Sequence, residues 1–409
     1  MKVEAGRTVR HCYPRIILWL ALVVVLVMML GVFTSTASAA GIYSVFTYGA
    51  KGDGVTNDAA AIQRAIDAAS ATGGTVTFSA GTFRVDSVVY LESNVTVSGV
   101  TGGTVLYMPA KSAATPIFYE DGVSNVSIQN LTMRSDGPTG NVYGVCIKGG
   151  SQSCRLSHLR FEDCEYGMKL GGDGPVNAGL VIEDIATRHT ANPLYLQDVH
   201  DSTFRRLDLE GAGTDGRYPF DHCIYLQVNV QDCTFEDLTL TKPSGTCFTT
   251  TGGYTGYSGR LVFRNMICDA SQSGWPMALT DDATSQFDDV EFYNLTLIGA
   301  NRENGAIIML VAPTNLLFDG FQASGSDYLV RQYGTSSANG ITFRNGNFNG
   351  VRLDYGNPVT RNLVFDSVTL NGPTYPATTT TTQGPTTTTT VAPTTVTTAM
   401  APLGVRLGG

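Results

Sequence analysis

One phrase recurs eleven times along the chain: an apolar residue, any residue, an apolar residue, two of any kind, and a third apolar residue. Its middle position falls on Val97, Ile128, Leu156, Ile182, Phe204, Phe235, Phe263, Phe292, Phe318, Phe343 and Phe365, in steps of 22 to 31 residues. Ser202 and Gly346 alone break the flanking apolar columns. Alternation with period two marks strands rather than helices. The mostly polar pair inside the phrase, such as Gln129-Asn130, Glu183-Asp184 or Arg264-Asn265, interrupts that alternation, so each strand turns a corner and continues. A repeat of this length means stacked units, none able to bury its apolar face alone. The steps are too short for four-stranded propeller blades and suit a β-solenoid with loops of variable length. Its axis would be filled by phenylalanine stacked on phenylalanine.

Outside the repeats the pattern changes three times. Four cations (Lys2, Arg7, Arg10, Arg15) precede an 18-residue apolar run from Ile16 to Phe33 and then Ala37-Ser38-Ala39. This predicts a secretory signal over residues 1–39, with a retained membrane anchor as the alternative. Residues 40–375 form the predicted solenoid domain. From 376 to 409 the composition collapses to Thr, Pro, Ala and Val, which predicts an extended tail or linker able to meet a cell wall. Between signal and repeats, Ile62, Ala65, Ile66 and Ala69 form one helical stripe, ended by Gly73-Gly74 and followed by the strand Thr75–Phe78. Such a helix can cover the open core of the first coil. Asn57 or Thr56 is placed to cap it, with Asp58 near its positive end.

The loop before that helix reads Tyr48-Gly49-Ala50-Lys51-Gly52-Asp53-Gly54-Val55-Thr56-Asn57-Asp58. It lacks the Walker phosphate pattern. It resembles the opening of pectate lyase superfamily proteins of the rhamnogalacturonase/epimerase-like type. With the repeats, the resemblance covers about residues 43–370. It implies an all-β, single-stranded right-handed parallel β-helix of about eleven coils, and a secreted protein acting on polysaccharide. Many chemistries share that opening, so it is specific for fold and weak for activity.

Charge narrows the partners. Removing the signal's four cations and its one acid, Glu4, from 26 Lys+Arg and 35 Asp+Glu leaves 22 against 34, a mature charge of −12. Such a chain is no candidate for nucleic acid. It would repel an anionic polysaccharide unless cations line the groove or Ca2+ bridges the charges. Cys12 leaves with the signal, and the remaining seven cysteines do not resemble a disulfide framework. Cys223 and Cys247 open the same strand in adjacent coils and are the one plausible pair; small apolar ladder residues is the other reading. Asn94, Asn125, Asn130 and Asn294 match the N-glycosylation pattern but fall on coil corners, where asparagine has a structural use.

The most chemical stretch is Gly216-Arg217-Tyr218-Pro219-Phe220-Asp221-His222-Cys223-Ile224, in a long coil. His222 suits proton transfer, Asp221 can orient it or act as acid, and Arg217 can pair with a uronate carboxylate. A coil-corner hydrogen bond is the bland alternative for Asp221-His222. The stretch is similar to the Asp-Asp-Cys-Ile of polygalacturonase-type hydrolases, whose other motifs are missing here. It is also similar to the Tyr-Gly-Phe-Asp-Pro-His of alginate epimerases, whose further acidic residue is replaced by Ser244-Gly245-Thr246. Asp281-Asp282 is a second candidate, for Ca2+ or hydrolysis. Trp275, aligned with Asp221 two coils on, together with Tyr218, Tyr254 and Tyr257, is placed to stack sugars. The expectation is lyase or epimerase chemistry on an acidic polysaccharide such as pectin or alginate, with a hydrolase close behind. A non-catalytic glycan-binding rod on a threonine-rich stalk is the rival.

Overall fold

A computed structural model describes residues 41–371, apart from Asp173 and residues 217–220, 251–255, 273–274, 281–284, 333–337 and 356–362. The expected signal, the tail, and Arg217, Tyr218, Tyr254, Asp281 and Asp282 lie outside the described residues.

The repeated phrase is a ladder of parallel rungs. Ile128 pairs with Leu156, Leu156 with Ile182, Ile182 with Phe204 and Phe204 with Phe235, and the column runs on without a slip to Phe365. It also extends below Val97 through Val76 to Tyr43. Those two rungs lack the full phrase, which is why the repeat alone does not show them. The rings from Phe204 to Phe343 are buried and stack nearly parallel. Phe204–Phe235 is 4.6 Å at 7°, Phe235–Phe263 4.4 Å at 9°, Phe263–Phe292 4.8 Å at 16°, Phe292–Phe318 4.7 Å at 6° and Phe318–Phe343 4.6 Å at 10°. These spacings match the separation of neighbouring strands, so the register itself sets the stacking.

Each polar pair is a corner, made by its second residue. Asn130, His158, Asp184, Arg206, Asp237, Asn265, Asn294 and Asn345 all have left-handed backbone, with φ between 53° and 61°. Asn and Asp tolerate this conformation best, because the short side chain bonds locally. A second left-handed corner precedes the phrase at Asn94, Asn125, Asp201, Asp232 and Asn315. All four asparagines of the glycosylation pattern therefore stand at corners. Neighbouring corners also bond to one another: Asn125 donates to Asn94 (3.0 Å), Asn265 to Asp237 (2.9 Å) and Asn294 to Asn265 (3.2 Å).

The two corners divide each turn into a ladder strand before and after the bend, and a loop then leads to a third sheet. Its core row comprises Phe118, Val145, Met168, Leu194, Ile224, Phe248, Met277 and Ile308, each at most 1% exposed. Helix α1 (Ala59–Ser70) buries Ala59, Ala61, Ile62, Ala65, Ile66 and Ala69 and covers the first coil. The amide of Ala59 donates to Asn57 Oδ1 (3.2 Å). Asp58 instead turns back, its carboxylate accepting from the amides of Lys51 (2.7 Å) and Gly52 (2.9 Å). Gly52 has φ +62°, and a Cβ there would meet the Phe83 ring at 3.0 Å. The glycine-rich loop is thus a brace between cap and core.

All seven described cysteines are buried free thiols. Cys223 and Cys247 precede the paired Ile224 and Phe248 and are neighbours, yet unbonded. In-register neighbours stand about 4.8 Å apart, beyond the ~3.8 Å Cβ separation a disulfide needs.

Candidate functional site

The third sheet presents its other side away from the core. Between the core positions runs the in-register row Tyr119, Cys146, Lys169, Tyr195, Tyr225, Thr249, Ala278, Met309 and Arg331. This row contains two cations and no carboxylate, in a chain whose net charge is −9. Beside it Tyr143 pairs with Tyr166 and Tyr166 with Asn192. The tyrosines of the two rows meet edge to face: Tyr143–Tyr166 at 4.6 Å, Tyr166–Tyr195 at 5.9 Å and Tyr195–Tyr225 at 5.4 Å. Lys169 Nζ lies 5.7, 5.8 and 5.2 Å from the ring centres of Tyr143, Tyr166 and Tyr195. Among the described residues no carboxylate forms an ion pair with it. Lys148 is similarly placed over Tyr119, at 5.4 Å.

Asp221 and His222 close this row of rings. Asp221 is 1% exposed, and its Oδ1 accepts from Asn192 Nδ2 at 3.0 Å. Asn192 Oδ1 in turn accepts from the His222 amide (3.1 Å), so one side chain from the coil below fixes both residues. The half-buried His222 ring lies 5.3 Å from Tyr225. Its Nδ1 faces the Thr246 amide (3.1 Å) and hydroxyl (2.7 Å). An amide can only donate, so Nδ1 carries the lone pair and the neutral ring holds its hydrogen on Nε2. Burial pushes the His222 pKa down to about 4. At neutral pH the ring therefore offers an N–H rather than a base. This changes the role expected from composition, where an imidazole near its ordinary pKa suggested a proton carrier.

Trp275 pairs with Thr246, which is in register with His222, and not with Gly245, which is in register with Asp221. It therefore shares a column with His222, the side chain Thr246 touches. The sequence alignment with Asp221 is off by one because Met277 pairs with Phe248 rather than with Cys247. A one-residue slip moves a side chain to the other face. The ring remains on the same run of sheet, two coils from His222. Asn192 and Lys169 escaped the sequence reading, and Thr246 entered it only as part of the stretch that replaces an acidic residue. Leu194-Tyr195-Leu196 and Ile224-Tyr225-Leu226 alternate in the sequence, but the direction of each ring needs the register. Among the described residues no group of three or more His, Cys, Asp or Glu is arranged to hold a metal ion.

Comparison with known proteins agrees with this architecture. Residues 42–121 match the family model described as rhamnogalacturonase A/epimerase, pectate lyase-like. The structure is a right-handed parallel β-helix, as the resemblance implied. A mannuronan C5-epimerase of Azotobacter vinelandii is 38% identical over 116 residues, which is 25% of this chain and 11% of that protein. The A-module of another Azotobacter vinelandii mannuronan C-5 epimerase shares the fold at 18% identity and TM-score 0.59, over 81% of this chain and all of the module. A tailspike protein of E. coli bacteriophage HK620, solved in complex with a pentasaccharide, shares it at 15% identity and TM-score 0.61, over 80% and 65% of the two chains.

Proposed function

We propose that this is an exported protein acting on an acidic polysaccharide, laid along the third sheet's outer face, by lyase or epimerase chemistry at a uronate. The observation that carries the proposal is the carboxylate-free row of tyrosines with Lys169 at its centre, ending on the Asp221–Asn192–His222 group. Tyrosine rings suit sugar faces, and an ammonium with no carboxylate paired to it among the described residues suits the carboxylate of a uronate. Neutralising that carboxylate is what proton abstraction beside it requires. His222 Nε2–H would donate to a substrate oxygen, with Asp221 and Asn192 holding its backbone, and Arg217 would supply a second cation. The epimerase relatives act on mannuronan, a polymer of this class.

A second reading is a glycan-binding rod without catalysis. It is favoured by His222, whose lowered pKa and occupied Nδ1 leave no imidazole base at neutral pH. Incubation with polymannuronate, polygalacturonate and rhamnogalacturonan separates the two. Ultraviolet absorbance of an unsaturated uronate reports a lyase, new reducing ends alone a hydrolase, and proton NMR of the polymer an epimerase. Activity retained by both Asp221→Ala and His222→Ala would remove the site. Binding without any turnover would establish the rod.

A further inference from the structure

A second histidine stands close to this site. His189 lies on the coil corner with φ 50°. Its Nδ1 is 2.6 Å from Asp163 Oδ1 on the coil below, and its Nε2 is 2.9 Å from Asp215 Oδ2 on the coil above. A neutral imidazole has one N–H, so one of these carboxylates would face a lone pair. Donation to both requires the imidazolium. Asp215 closes the short turn Gly213–Asp215, and the next residue, Gly216, packs on the candidate site. A Cβ on Gly216 would lie 2.7 Å from Ser244 Cβ and 3.1 Å from Asp221 Oδ2. The backbone of that turn therefore rests against the Asp221 carboxylate, with no room for a side chain between them.

We infer that His189 is a positioning residue: as the imidazolium it clips Asp215 to Asp163 and so holds the Gly213–Gly216 turn against Asp221. The inference rests on reading Asp221 as part of the site. Among the described residues, the other charges near the clip are already paired. Arg188 bonds Asp208 (2.5 Å) and lies 3.9 Å from Glu210, and Lys242 lies 3.2 Å from Glu210. The Cys164 thiol is kept protonated by burial, its pKa pushed up to about 12. The two carboxylates thus dominate the field at His189, and hydrogen bonding to Asp163 and then Asp215 raises its pKa above the ordinary value. With a raised pKa the clip is complete below the free imidazole's pKa and is lost as pH rises through the folded one. The pH dependence should weaken with added salt, since all three side chains are partly exposed.

The test needs no substrate. Histidine-labelled protein has only five imidazoles to resolve, and His189→Gln assigns the signal. His189 is expected to titrate above about 6.5, the ordinary histidine value. Hydrogen-exchange protection at residues 211–216, taken relative to the intrinsic base-catalysed amide rate at each pH, is expected to fall about tenfold between about pH 6 and pH 9 as the clip opens. In His189→Gln and Asp215→Asn that protection should be low at both pH values. Titration at or below the ordinary value, or protection indifferent to pH and to both substitutions, would overturn the clip. If the clip holds while Asp221→Ala leaves activity untouched, the proposed site fails and the clip does not.

Discussion

Two aromatic rows run along this molecule in the same register, one inside and one outside, and they are built differently. Inside, phenylalanines stack nearly parallel, at 4.4–4.8 Å between Phe204 and Phe343. Outside, tyrosines meet at 67–88°. Each interior ring from Phe235 to Phe318 has a like ring above and below it, so one stacking geometry repeats. The exterior ring has a different loop and a different partner in each coil, and a cation sits among the rings. What repeats is what packs; what departs from the repeat is where chemistry can enter.

The sharpest way to break that contrast is to remove one interior ring. Phe263→Ala takes a fully buried ring from the middle of the stack, between Phe235 and Phe292. The expected cost is about 3–5 kcal/mol by denaturant unfolding, from lost transfer energy and the cavity left behind. A cost below about 1 kcal/mol would mean that the coils do not share one packed axis.

Next comes the acid that violates the interior. Glu120 is fully buried on the core side of the third sheet, and neither carboxylate oxygen has a hydrogen-bond partner. Burial pushes its pKa up to about 7, against the opposing influence of the nearby Cys154 thiol. Because the folded pKa lies above the unfolded one, stability is greatest below the ordinary carboxylate range. It falls as pH rises toward about 7, by roughly 3 kcal/mol in all. In Glu120→Gln the unfolding midpoint should lose this slope between about pH 5 and pH 8. An unchanged slope would show that Glu120 is solvated or paired.

How much of this was legible in the chain follows from the same contrast. The Phe column, the corners at Asn130, Asp184 and Asn265, the capping helix and the pairing of distant rungs could all be read from spacing, because each is enforced by the repeat. Tyr43 and Val76 were missed because their rungs lack the phrase. In the site, Asp221 and His222 stood out by composition. Asn192, which bonds to both, did not, since it lies thirty positions before His222 and only the stacking of coils brings it there. The misplaced column of Trp275 has the same origin: a one-residue error in a strand's start is invisible in a loop of uncertain length. The lowered pKa of His222 is a property of its surroundings, which no motif states.

The exterior row should answer in binding rather than in stability. Lys169→Ala removes the cation over Tyr143, Tyr166 and Tyr195 without opening the core. Affinity for a polyuronate is expected to fall about tenfold, or ~1.4 kcal/mol, by titration calorimetry at low salt. The thermal midpoint should move little, because a partly buried cation–π contact is worth about 1 kcal/mol. Equal affinity for wild type and variant would place the glycan elsewhere.

The smallest effect tests whether membership of the interior column or burial itself sets the energy. Phe365 continues the stack on Phe343, at 5.2 Å and 14°, but it is only half-buried, and among the described residues no strand pairs on its far side. Its neighbours Val364 and Leu370 are 47% and 45% exposed. The opposite end of the solenoid has helix α1 laid over it; this end shows no such cover among the described residues. Phe365 therefore loses about half as much area as Phe263 on truncation and leaves an open notch rather than a cavity. Phe365→Ala should cost about 1 kcal/mol against the several expected for Phe263→Ala. If the two cost the same, some further part of the assembled protein covers Phe365, and the last coil is an interior one.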